Sequence, residues 1–100
     1  MKTTLEKEDN YNVMYFEGRL TTAAAAQTET ETRILNEDTD QDIILDCSKL
    51  EYISSSGLRI FLGILKKAKA RGAHVYIRGL NNEIKQVFTM TGFSSLFELK

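Results

Sequence analysis

Three consecutive serines followed by a glycine and a leucine, Ser54-Ser55-Ser56-Gly57-Leu58, are the residues of this chain best placed to do chemistry. They come after the apolar run Ile43-Ile44-Leu45 with its Asp46-Cys47-Ser48 tail, and they open the longest amphipathic helix pattern in the sequence. Hydroxyls at such a point lie beside unpaired backbone amides and the positive end of a helix dipole, a setting that favours negative charge. A phosphate attached covalently there is stabilised for the same reason as one bound there. Two roles compete for the run. Serine is a preferred helix N-cap, which assigns Ser54 or Ser55 to capping. A hydroxyl not needed for the cap remains open to modification.

Other chemistry finds little footing. Cys47 stands alone, so a disulfide framework is excluded and a reducing compartment fits best. Beside a buried strand it reads as a small packed hydrophobe rather than a nucleophile. His74 is the single histidine, which supports neither a metal centre nor a triad. Ser56-Gly57 also lacks the Gly-x-Ser-x-Gly frame of a nucleophile elbow. No catalytic residue, metal ligand or cofactor is therefore expected. Asp46 and Ser48 read as groups that satisfy loop amides after their strand. Arg59, three residues after Ser56, can pair with a phosphate across one helical turn, although such an arginine is more often simply solvated or meets a partner's carboxylate. Glu29, Glu31, Glu37, Asp38, Asp40 and Asp42 form an acidic stretch that reads as a solvated face.

The elements that must position the serines follow from the pattern. Thr3 to Glu8 is a strand candidate, with a turn at Asp9-Asn10 and a second strand over Tyr11–Phe16 that Glu17-Gly18 punctuates. Thr21 or Thr22 caps a helix that starts in Ala23-Ala24-Ala25-Ala26 and runs to about Glu37, before the acidic turn from Asn36 to Asp40. Asp42–Asp46 reads as a short strand buried on both faces. The loop from Cys47 to Ser55 then leads to a helix over 55–71, with Leu58, Phe61, Leu62, Leu65 and Ala68 on its apolar stripe and Gly72 just past its end. Ala73–Arg78 is the next strand. Asn81 or Asn82 caps a shorter helix that ends at Gly92, and Leu96–Leu99 is the last strand. Strands alternating with helices imply an α/β fold: one domain over residues 1–100, with a mixed, mostly parallel sheet of four to five strands and helices packed on it. The loops at the carboxyl ends of such strands build sites.

Bulk properties agree with one small domain. The chain has 100 residues, 42% hydrophobic and 27% charged, enough for one modest core. A net charge of −1 provides no basic field to draw nucleic acid or an acidic membrane. No apolar run approaches the roughly 20 residues that cross a bilayer. Met1 to Glu8 contains no apolar core of a secretory signal, so the expected location is cytoplasmic.

Asp46-x-Ser48, six residues, then Ser55-Ser56-Gly57-Leu58 opening a helix, resembles the STAS-domain family of anti-sigma factor antagonists. Glu17-Gly18-Arg19-Leu20 looks like the family's Gly-x-Leu entry to its first helix. Asn82-Glu83 to Thr91-Gly92-Phe93, with Leu96-Phe97 after it, is similar to the closing helix and strand, so the likeness covers nearly the whole chain. The resemblance implies a non-enzymatic binding protein, of the kind switched by phosphorylation at the hydroxyl immediately before the glycine. That residue here is Ser56, with Ser55 as second choice. Ser54, Ser55, Asp46 and Ser48 would then be cap and loop residues, and Gly57, Leu58 and Arg59 the partner surface. The implied partners are an anti-sigma factor that is also a serine kinase and a PP2C-type phosphatase that resets the switch. Neither direct nucleic-acid nor membrane binding is implied, and the domain would be a monomer or weak dimer. The alternative is a STAS domain that senses a ligand or serves as an accessory subunit, without phosphorylation. Many phosphorylatable members carry Asp two residues before the modified serine, where this chain has Ser54, and many relatives carry Ala in place of Ser56.

Overall fold

The segment from Asp42 to Ile53 is one continuous strand, and its length decides where the serines stand. The computed structural model describes residues 1–36 and 41–100. In chain order the elements are β1 (Lys2–Glu8), β2 (Tyr11–Leu20), α1 (Thr22–Thr32), a 3₁₀ turn (Arg33–Asn36), β3 (Asp42–Ile53), α2 (Ser55–Ala70), β4 (Val75–Arg78), α3 (Asn82–Met90), a second 3₁₀ turn (Phe93–Ser95) and β5 (Glu98–Leu99). They form one five-stranded sheet in the order β1-β2-β3-β4-β5. β1 pairs antiparallel with β2, and every other pairing is parallel. This is the mixed, mostly parallel α/β architecture expected from the alternation of strands and helices.

Two strands run past their expected ends. β2 does not stop at Phe16 but continues through Glu17-Gly18 to Leu20. Gly18, at a φ of 105°, takes a conformation that residues with a Cβ rarely adopt, so the strand bends where a break was expected. β3 likewise continues beyond Asp46, so the expected loop from Cys47 to Ser55 is strand up to Ile53, with Ser54 alone joining it to α2. The reason is a pair of bulges. Tyr15 faces Asp46 but Glu17 faces Lys49, and Gly18 faces Leu50 but Arg19 faces Tyr52, so β3 gains one residue on β2 at each slip. Buried positions after Cys47 therefore fall three apart, at Leu50 and Ile53, and the period-two signature of a strand is lost.

The remaining boundaries shift less. Thr21 is the N-cap of α1, its hydroxyl accepting from the Ala24 amide at 3.2 Å. The helix ends at Thr32 and tightens into the 3₁₀ turn instead of running to Glu37, which with Asp38, Thr39 and Asp40 lies outside the described residues. In that turn Leu35 is buried and Ile34 exposed. β4 begins at Val75 rather than Ala73, and β5 spans only Glu98–Leu99 because Phe93–Ser95 turn first. Asn81 caps α3, its side-chain oxygen accepting from the Ile84 amide at 2.9 Å.

The core lies between one sheet face and the helices. Met14 and Phe16 of β2, Ile43, Leu45 and Cys47 of β3, and Ile77 of β4 meet Phe61, Ile64 and Leu65 of α2 and Ile84 and Phe88 of α3. Phe16 and Phe61 pack at 4.9 Å between ring centroids, and Phe61 reaches Phe88 at 6.3 Å. Burying each such ring contributes on the order of 1.5–3 kcal/mol. The stripe that opens after the serines thus fixes α2 rigidly on the sheet.

Candidate functional site

Ser54 is the hinge point between β3 and α2, and it is held from three directions. Its amide donates to the Leu20 carbonyl at 2.9 Å, its carbonyl accepts from the Leu58 amide at 3.0 Å, and its hydroxyl accepts from the Gly57 amide at 3.2 Å. With φ −86° and ψ 171° it has the extended geometry of an N-cap. Ser54 is buried, and of the three serines it alone caps the helix.

Gly57 has no room for a side chain. A Cβ there would sit 2.7 Å from Leu20 Cγ and 2.8 Å from Ile53 Cγ1, so glycine lets the first turn of α2 lie directly on the ends of β2 and β3. Leu58 is 5% exposed and belongs to the core. Gly57 and Leu58 were expected on a partner surface. Both face inward instead, because the helix start is pressed onto the sheet. The outward groups of this turn are Ser55 and Arg59, which are exposed, and Ser56, which is partly so.

Ser56 opens into a groove of about 430 Å³ between α1 and α2. Ala25, Ala26, Glu29, Thr32 and Arg33 line one side, and Ser56, Arg59, Ile60, Gly63, Ile64 and Lys67 the other. The Glu29 carboxylate is paired with Arg33 at 3.3 Å, one turn along. At the sheet edge beside the serines, the Arg19 guanidinium lies 4.6 Å from the Tyr52 ring centroid, a cation–π contact. A partly exposed hydroxyl beside a helix start, with no hydrogen bond among the described residues, is of a kind that can accept a phosphoryl group.

Asp46 and Ser48 lie on the opposite face of the sheet, and they belong to a bulge, not a loop. Asp46 Oδ1 accepts from the Ser48 amide at 2.9 Å and from its hydroxyl at 2.5 Å, while Arg78 Nε donates to Oδ2 at 2.7 Å. Burial pushes the Asp46 carboxyl up, but the hydrogen bonds from Ser48 and Arg78 outweigh it and hold the group below the usual carboxylate range. Arg78 also bonds Glu8 of β1, at 3.2 Å from Nη2, and Tyr15 of β2 at 3.1 Å. The Tyr15 hydroxyl donates to Glu8 as well. Side chains of β1, β2, β3 and β4 are thereby tied across the face that carries no helix. Asp46 does satisfy a backbone amide, that of Ser48, whereas the Ser48 hydroxyl donates to the Asp46 carboxylate instead of serving an amide. Arg78, Glu8 and Tyr15 were not singled out in sequence. No short motif could have found them: Arg78 meets Asp46 across 32 residues because the β3–β4 register sets those two opposite each other.

The residues set aside for other chemistry behave simply. Cys47 is buried among apolar groups, which pushes its thiol far up and keeps it protonated. His74 pairs with Glu98 at 3.0 Å on the surface. No group of three or more metal-ligating side chains occurs among the described residues, and no helix among them is long and apolar enough to cross a membrane.

The STAS domain profile matches residues 2–100. The chain belongs to the STAS domain family. Its relatives include BtrV of Bordetella bronchiseptica, named as an anti-sigma factor antagonist, at 31% identity over 97 residues, covering 97% of this chain and 84% of the relative. The anti-sigma-B factor antagonist of Staphylococcus aureus is 25% identical over 92 residues, covering 92% and 85%. SpoIIAA of Bacillus, an anti-sigma factor antagonist solved in unphosphorylated and phosphorylated forms, shares the fold. Its TM-scores are 0.75 and 0.74, at 18% and 19% identity, with 99% of this STAS domain covered in each case and 87% and 91% of the solved chains.

Proposed function

We propose that this STAS domain is an anti-sigma factor antagonist, a binding protein without catalytic activity that docks on an anti-sigma factor through Ser55, Ser56 and Arg59. The anti-sigma factor is itself the kinase. It passes the γ-phosphoryl group of ATP to the Ser56 hydroxyl: the Ser56 Oγ–P bond forms, the bond to ADP breaks, and the hydroxyl proton leaves to a base on the kinase. A PP2C-type phosphatase reverses the modification by transferring the group to water. The observation that carries this reading is the division of the serine run, in which Ser54 takes the cap and Ser56 keeps a partly exposed hydroxyl at the head of the groove. The named activity of BtrV at 31% identity supports the anti-sigma partner.

Phosphorylation adds about −1.5 to −2 charges and three acceptor oxygens. A partner surface fitted to a neutral hydroxyl then meets a hydrated dianion. A coupling of about 1–3 kcal/mol, or roughly 5–150-fold in affinity, is enough for a switch. The test is incubation with the cognate kinase and ATP, read by intact mass and by partner binding. The expected result is one added phosphate, absent from Ser56→Ala, and loss of binding on modification. Failure of any cognate kinase to modify the chain, with Ser56→Asp still binding normally, overturns the reading and leaves a STAS domain that works without phosphorylation.

A further inference from the structure

We propose that Arg59 holds the phosphoryl group of modified Ser56 in cis, at the head of the groove between α1 and α2. The inference rests on Ser56 as the modified position. Ser56 and Arg59 line the same groove, and they stand three residues apart on α2. About 4.5 Å of helical rise separates them, and residues at that spacing share one face. The guanidinium is planar, always charged, and offers two parallel N–H donors to a phosphate.

The other charged groups facing the groove do not compete. Glu29 and Arg33 are paired with each other at 3.3 Å. Lys67 is eleven residues beyond Ser56 on the same helix, about 16 Å along the axis and out of reach. Arg59 is exposed and makes no hydrogen bond or ion pair among the described residues. The small side chains of Ala25 and Ala26 also line the groove, and at Gly63 an added Cβ would meet nothing within 4 Å. Space, a free cation and a covalently tethered anion thus coincide. Modification then does two things at once: it places a dianion on the docking surface, and it withdraws from a partner the cation that the unmodified surface displays.

The test uses the full chain with phosphoserine installed at position 56 during translation, so that no kinase is required. Phosphorus NMR follows the second ionisation of the phosphate, ordinarily near pH 6. The phosphate in the otherwise unchanged protein is expected to titrate about half a pKa unit below that in Arg59→Gln, a threefold change in proton affinity. Arg59→Lys should recover part of the difference, and Lys67→Gln none. Coincident titrations of the parent and Arg59→Gln, or an equal shift from Lys67→Gln, overturn the proposal. A kinase that never modifies Ser56 would count against the proposed function and not against this result.

Discussion

Ser54 shows how one side chain can settle the roles of its neighbours. Its hydroxyl accepts from the Gly57 amide, so Ser54→Ala should destabilise the domain by about 1 kcal/mol in urea unfolding. Ser54→Asp should be nearly neutral, because a carboxylate accepts from the same amide and suits the positive helix end. Serine and aspartate at position 54 are therefore two ways of capping α2. Composition and spacing had reduced the cap to Ser54 or Ser55, and the choice turned on where β3 ends, which the bulges conceal. Gly57 was visible as a helix-opening glycine, but its reason lies in Ile53 at the end of β3 and in Leu20, which only the fold brings beside it. Gly57→Ala should cost about 1–3 kcal/mol by overpacking, measurable as a lowered urea midpoint with an unchanged slope.

At the scale of elements, β3 is the part least legible in the sequence. Ile43, Ile44 and Leu45 announce it, while its second half carries Ser48, Lys49, Glu51 and Tyr52 on exposed positions with no alternation to mark a strand. Tertiary pairing with β2 holds that half in place. The bulge at Ser48 leans on Gly79, which has a φ of +79° and whose added Cβ would lie 2.8 Å from the Ser48 amide nitrogen. Gly79→Ala should therefore lower stability by about 1–3 kcal/mol, with the thermal midpoint falling accordingly. By contrast α2 and α3 were legible to within a residue or two, because their apolar residues recur at helical spacing and both begin on side-chain caps. α1 was harder to bound. The residues it buries most fully are Thr28 and Thr32, which no hydrophobic periodicity can reveal.

The whole molecule keeps its two sheet faces distinct: helices and core on one, a lattice of Glu8, Tyr15, Asp46 and Arg78 on the other. The folded state holds Asp46 below its ordinary pKa, so its contribution to stability is full above about pH 3.9 and is lost as pH falls through the lower folded value. Asp46→Asn should accordingly flatten the acid limb of a plot of unfolding midpoint against pH while lowering stability at neutrality. The general fold was readable because the order of strands and helices dictates it, whereas this lattice depends on register between distant strands. One feature reaches further, into kinetics. Ser54 is the single residue between β3 and α2, and its amide, carbonyl and hydroxyl are all engaged, so the docking turn has no slack to rearrange. Encounter with a partner then needs no refolding step, and the association rate falls in the range of about 10⁵–10⁷ M⁻¹s⁻¹ usual for rigid patches. Under the proposed function, how long the complex lasts, rather than how fast it forms, is then the quantity that modification of Ser56 would adjust.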